Sequence, residues 1–137
     1  MKTETFIHPM AVVEAGAQIG QGARIGPFCH VSAEAVIGDR VELFSHVSVM
    51  GATSIGASTK VYPMAVLGAP PQNNKHKGGR TTLIIGQNCT IRESVTMHLG
   101  TDTSRGETTI GDNGNFLAYV HIAHDCVVGK NATFANG

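Results

Sequence analysis

Every sixth residue from Ile7 to Leu67 is aliphatic. The series reads Ile7, Val13, Ile19, Ile25, Val31, Ile37, Leu43, Val49, Ile55, Val61 and Leu67 without a gap. It resumes at Ile85, Ile91 and Met97, slips phase by one residue, and continues at Ile110, Phe116, Ile122, Val128 and Phe134. A period of six fits no amphipathic helix, whose apolar positions recur at three and four. It fits a solenoid, in which short extended segments alternate with corners.

The flanking positions sharpen that reading. Two residues before the large anchor the side chain is usually small: Ala11, Ala17, Ala23, Cys29, Ala35, Thr53, Thr59 and Ala65. Residues two apart in an extended segment share a face, so anchor and small residue both point inward. Glycine often follows the anchor directly, as at Gly20, Gly26, Gly38, Gly56, Gly68, Gly86, Gly111 and Gly129. A sharp corner there would favour a residue without a Cβ. The pattern predicts an all-β chain wound as a parallel β-helix. Composition agrees, with 17 glycines in 137 residues, no tryptophan and 5% aromatics. A narrow interior filled by Ile, Val and Ala needs no more.

Charge excludes one class. Lys+Arg and Asp+Glu both number 10, which leaves no basic excess for neutralising the phosphates of a nucleic acid. No apolar run approaches the about 20 residues of a membrane helix. The start, MKTETFIHP, shows no apolar leader segment. The expectation is a cytoplasmic protein without stable membrane insertion.

Two segments break the hexads, and breaks in a regular solenoid are where function gathers. One runs from Ala69 to Thr82 (APPQNNKHKGGRTT) and the other from Gly100 to Thr109 (GTDTSRGETT). The first carries the basic cluster Lys75, His76, Lys77 and Arg80, beside the neutral Gln72 and Asn73. It reads either as a solvated loop or as a site for phosphates or an acidic partner.

Three cysteines, Cys29, Cys89 and Cys126, occupy the small inward slot and read as core side chains, with no CxxC spacing for zinc. Seven histidines are more telling. In VHIAHDC, Ile122 is an anchor, so His121 points outward and His124 sits at the corner with Asp125. Imidazole beside a carboxylate suits proton transfer near neutral pH. Surface decoration and a histidine metal site are the competing readings.

The stretches IHPMAVVEAGAQIGQGARIGPFCHV, IRESVTMHLGT and VHIAHDCVVG, with the QNNKH loop, closely resemble the UDP-N-acetylglucosamine O-acyltransferase family of lipid A biosynthesis. The likeness runs through the whole chain and both interruptions. It implies a left-handed β-helix with three faces and 18 residues per coil, hence about six coils over residues 1–137, with loops at 69–82 and 100–109. It also implies transfer of a 3-hydroxyacyl chain from acyl carrier protein to the 3-position of a UDP-amino sugar. His124 falls on the family's general base and Asp125 on the residue that orients it. His98 and His121 fall on positions lining the same site, and Gln72, Asn73 and Lys75, with His76 beside them, on the loop that holds the nucleotide sugar.

The resemblance further implies a homotrimer with sites between subunits, no metal, and no cofactor beyond the carrier protein's phosphopantetheine. Many members carry an acid where this chain has Asn73 and a basic residue where it has Leu99, and some acylate a 3-amino sugar. The family continues into further coils and a C-terminal helical domain, whereas this chain stops in mid-hexad. That predicts a truncated β-helix, with the family's oxyanion donor and acyl-length ruler falling past Gly137. The related N-acyltransferase of the same pathway usually carries an extra N-terminal domain, and here hexads begin at Ile7. A γ-type zinc carbonic anhydrase would need three convergent histidines at a different spacing. An ice-binding helix would need flat threonine ladders.

Overall fold

The computed structural model describes residues 4–137. The N-terminal reading of MKTETFIHP includes residues 1–3, which lie outside the described residues. Among the described residues the chain forms nineteen short strands, and each carries one of the nineteen hexad anchors. The strands stack into three parallel sheets of seven, six and six members. The first sheet starts at Phe6–Ile7, the second at Val12–Val13 and the third at Gln18–Ile19. Each strand pairs with the third strand along the chain, so Ile7 lies beside Ile25, Val13 beside Val31 and Ile19 beside Ile37.

Anchors stack on anchors at every level. Ile25, Val31, Val49, Val61, Leu67, Ile91, Met97 and Phe116 are all fully buried. Each such side chain contributes about 1.5–3 kcal/mol of transfer free energy. The small slot is filled just as completely, by Ala23, Val41, Val47, Thr53, Thr59 and Ala65. Thr53 and Thr59 settle their hydroxyls on the backbone carbonyls of Met50 and Gly86.

The corners differ from the expectation. Glycine after the anchor does not supply a left-handed backbone at Gly20, Gly26, Gly38, Gly56, Gly86 or Gly111. It makes room. A Cβ on Gly26 would sit 2.0 Å from the Phe44 carbonyl oxygen, and one on Gly56 would sit 2.5 Å from the carbonyl carbon of Gly86. Adjacent coils approach too closely there for any side chain. The left-handed residue lies three past the anchor, and it is usually not glycine. Phe28, Arg40, His46, Ser58, Met64, Asn88, Ser94, Asn113, Tyr119, Asp125 and Asn131 all have φ between 56° and 72°.

Cys29 and Cys89 are buried as expected, and burial pushes both thiols up from their ordinary pKa. Cys126 is exposed. It directly precedes the strand Val127–Val128, which stands at the end of the third sheet among the described residues. No helix among the described residues is long and apolar enough to cross a membrane.

Both loops leave the solenoid at one corner. The connection from Val66–Ala69 to Thr82–Ile85 and that from Thr96–His98 to Glu107–Ile110 each run from the second sheet to the third. These are consecutive coils. The next passage across the same corner is the short turn from His121–Ile122 to Val127–Val128, and it carries His124 and Asp125.

Candidate active site

Asp125 owes its position to the regular coil corner. It is the third residue past the Ile122 anchor and has φ 63°. At Arg40, Ser58, Asn88, Asn113 and Asn131 the N–H of this residue donates to a backbone carbonyl of the preceding coil. The loop at 99–106 displaces that carbonyl from beneath Asp125. The Asp125 N–H donates instead to the hydroxyl of fully buried Thr108, at 2.9 Å.

The same loop turns two donors onto the Asp125 carboxylate. Thr101 N–H reaches Oδ2 at 3.0 Å and Gly106 N–H reaches Oδ1 at 2.8 Å. His124 Nδ1 lies 2.7 Å from Oδ2. Burial raises the Asp125 pKa, but the His124 hydrogen bond and the two backbone donors outweigh it and leave the group below the usual carboxylate range. An ionised carboxylate only accepts, so Nδ1 of His124 carries the proton. Nε2 is then the free acceptor. Only 9% of the Asp125 side chain is exposed, against 30% of His124, so the pair presents its imidazole edge to solvent and keeps its carboxylate inside.

Two more imidazoles stand beside it. His98 ends the strand Thr96–His98, and its ring packs edge-on against His121 with centroids 4.7 Å apart. His121 is exposed as the alternation requires, and its Nδ1 meets the Thr96 hydroxyl at 2.7 Å. His98 is buried, with no hydrogen-bond partner at Nδ1. Burial lowers its pKa, and the positive charge that His121 and His124 can carry lowers it further. Neutral His98 can donate or accept towards a bound polar group. No three His, Cys, Asp or Glu side chains converge as a metal-binding set among the described residues.

The basic loop is only partly drawn into this cluster. His76 is half-buried, with Nδ1 3.0 Å from the Thr101 hydroxyl. Through Thr101 it connects to Asp125 and so to His124. Asn73 folds back on its own turn, where its Oδ1 accepts the Lys75 N–H. Gln72 and Lys75 are exposed, and no side-chain hydrogen bond or ion pair among the described residues joins them to the histidines. Arg80 swings back to Glu34 at 3.1 Å, an exposed pair of little energetic weight.

Among the described residues, concavities on the flank of the solenoid include a pair with no histidine in their walls. The larger, about 460 Å³, lies between the first and second sheets and is walled by Pro27, Phe44, Tyr62 and Pro63. The smaller, about 340 Å³, lies under the basic loop against Gly51, Thr81 and Leu99. Leu99 thus packs inward at this corner, beside Gly51.

Thr101, Asp102, Gly106 and Thr108 organise the corner, and none stands out as a sequence motif. A countable signal exists. Leu67 and Met97 are three anchors apart, as are Met97 and Ile122, so the segments after them must stack over one another.

A three-sided parallel β-helix wound from six-residue repeats is the architecture of a hexapeptide-repeat protein, here with a carboxylate-oriented histidine at a looped corner. Known proteins make the assignment narrower. No family model matches the chain. It is 85% identical over 127 residues to the acyl-[acyl-carrier-protein]–UDP-N-acetylglucosamine O-acyltransferase of Mesorhizobium japonicum, covering 93% of this chain and 46% of that protein. The enzyme of the same name from Brucella ovis is 64% identical over 123 residues, covering 90% of this chain and 44% of that protein. A crystal structure of a UDP-N-acetylglucosamine acyltransferase superposes with TM-score 0.94 at 40% identity, over 96% of this chain and 51% of that one. LpxA from Acinetobacter baumannii gives 0.94 at 39% identity, over 95% of this chain and 50% of that one.

The chain belongs to the UDP-N-acetylglucosamine O-acyltransferase family, and its fold is the left-handed parallel β-helix. It spans about half the length of the relatives it matches.

Proposed function

We propose that this chain carries the general-base half of an acyltransferase site. That site moves a 3-hydroxyacyl chain from acyl carrier protein to the 3-hydroxyl of UDP-N-acetylglucosamine, at the first step of lipid A biosynthesis. The observation that carries the reading is the His124–Asp125 pair, fixed by three donors on one carboxylate.

The chemistry needs one proton acceptor at the right moment. The sugar hydroxyl attacks the thioester carbonyl while Nε2 of His124 takes its proton. Asp125 stabilises the imidazolium that results, and the carbonyl oxygen becomes an oxyanion requiring an N–H donor. Collapse of the tetrahedral intermediate breaks the C–S bond. His124 returns its proton to the departing phosphopantetheine thiolate. No covalent bond to the enzyme forms, and the scheme uses no metal and no cofactor of the protein's own. His98 and His121 line the acceptor side, and Gln72, Asn73, Lys75 and His76 hold the nucleotide sugar. The oxyanion donor and the acyl-length ruler belong to the part of the relatives' length that this chain does not span.

The histidines front an open corner, so the reading includes a neighbouring subunit that closes it, in a homotrimer working in the cytoplasm. The test is direct. A full-length enzyme carrying this segment, given 3-hydroxyacyl carrier protein and UDP-N-acetylglucosamine, should form the 3-O-acyl product and free carrier thiol in equal amounts. Turnover with the 3-amino analogue and none with the 3-hydroxyl would move the acceptor to an amine. Turnover with neither would remove the function.

A further inference from the structure

One loop grips two things. The segment 99–106 supplies the backbone donors that hold Asp125, and it also carries Asp102, whose carboxylate is wrapped by the basic loop. Lys77 N–H lies 3.0 Å from Oδ1 and 3.2 Å from Oδ2 of Asp102, and Gly79 N–H lies 2.8 Å from Oδ2. His76 Nδ1 stands 3.4 Å from the same carboxylate while touching the Thr101 hydroxyl. Gly78 between the two donors has φ 82°, which lets both N–H groups face one side. Successive N–H groups turned this way form a concave nest for an anion. Gly79 is shaped to the arrangement as well. A Cβ there would sit 2.8 Å from Asp102 Oδ2 and 2.9 Å from Asp102 Cβ.

We propose that Asp102 is a positioning residue: its carboxylate, seated in the Lys77–Gly79 nest, sets the acceptor-binding loop 70–81 in register with the His124 base. The proposal rests on the function given above, in which that loop holds the nucleotide sugar. Asp102 itself touches no reacting atom. It acts through the loop, so its loss should appear as weaker sugar binding and leave the proton-transfer step alone. The His76–Thr101–Asp125 contacts give the same coupling a second strand, since Thr101 touches the basic loop with its hydroxyl and the catalytic carboxylate with its N–H.

The experiment uses three variants of a full-length enzyme carrying this segment. Asp102→Ala removes the carboxylate, and Gly79→Ala keeps Asp102 but crowds its carboxylate out of the nest. Both should raise the KM for UDP-N-acetylglucosamine on the order of ten-fold, with kcat and its pH profile held within about three-fold. Asp102→Asn should restore part of the affinity. Its amide oxygen in the Oδ2 place can accept from Gly79 N–H, while its NH2 in the Oδ1 place confronts the Lys77 N–H. Amide exchange at Lys77 and Gly79 should quicken in the alanine variant, and the Gly79 amide should recover in the asparagine variant. An Asp102→Ala enzyme with unchanged sugar KM, beside an inactive His124→Ala, overturns the proposal alone. Equal loss in kcat and in the KM for both substrates overturns it too, because that pattern marks general misfolding. Full activity in His124→Ala removes the underlying reading and this proposal with it.

Discussion

Replacing Asp125 by asparagine changes one atom's chemistry and little of its shape, and the structure says why that should be severe. Three donors converge on two oxygens: His124 Nδ1–H at 2.7 Å and Thr101 N–H at 3.0 Å on Oδ2, and Gly106 N–H at 2.8 Å on Oδ1. An amide offers one oxygen and one NH2. With the oxygen towards Gly106, the NH2 confronts Thr101 N–H and forces His124 Nδ1 to accept. Nε2 then carries the proton and cannot act as a base. With the oxygen towards His124, the NH2 confronts Gly106 N–H instead. Either way one N–H is left unmatched, at about 1–3 kcal/mol. The first arrangement also removes the productive tautomer, and a positioned base is worth roughly 10²–10⁴ in rate. Asp125→Asn should therefore lower kcat by about 10²-fold or more, with sugar KM within about three-fold. Steady-state acyl transfer at saturating carrier protein measures it, and amide exchange at Thr101 and Gly106 reports the loosened clamp. A variant within about three-fold of the parent kcat would refute the orienting role.

Further outcomes follow from packing and titration. Gly26→Ala should destabilise strongly, by more than about 2 kcal/mol in a urea titration, because the new Cβ meets the Phe44 carbonyl at 2.0 Å. His98 binds its proton less readily folded than unfolded. Stability should then be full above the ordinary histidine range and fall as pH drops through it, and His98→Gln should flatten that slope in urea midpoints read at about pH 5 and pH 7.5. The Asp102 and Asp125 carboxyls lie below their unfolded values, for Asp102 chiefly through the Lys77 and Gly79 donors. Their contribution is present above the ordinary carboxylate range and is lost as pH falls through the depressed values. Exchange at Lys77, Gly79, Thr101 and Gly106 should accelerate together there, while Ile25 and Val49 amides stay protected.

The fold was legible because each coil repeats one instruction. An aliphatic at one position and a small residue two before it put all nineteen anchors on nineteen strands. The corners were less legible, since two different demands fall on neighbouring positions. Glycine after the anchor answers the close approach of the next coil, and the left-handed bend is taken by whatever lies two residues further on. Asn88, Asn113 and Asn131 signal that bend by type, but Phe28, Met64 and Tyr119 do so at the same position and hide it. Cys126 fits the inward slot by pattern but is exposed, beside the end strand of the third sheet, whereas Cys29 and Cys89 lie between stacked strands.

The candidate site divides along the same line. The outward face of His121 and the corner placement of His124 and Asp125 can be read from the distance to Ile122. The partners of Asp125 cannot, because Thr101, Gly106 and Thr108 reach it from the coil before. Nor does Asp102 announce itself, as its contacts with Lys77 and Gly79 span an insertion with no hexad register.

The central claim is that Nε2 of His124 takes the proton of the attacking hydroxyl. Its most direct measurement is turnover of His124→Ala in the full-length enzyme with 3-hydroxyacyl carrier protein and UDP-N-acetylglucosamine. The account predicts a fall of roughly 10²–10⁴ in kcat with sugar binding retained. Near-parent turnover in that variant would contradict it.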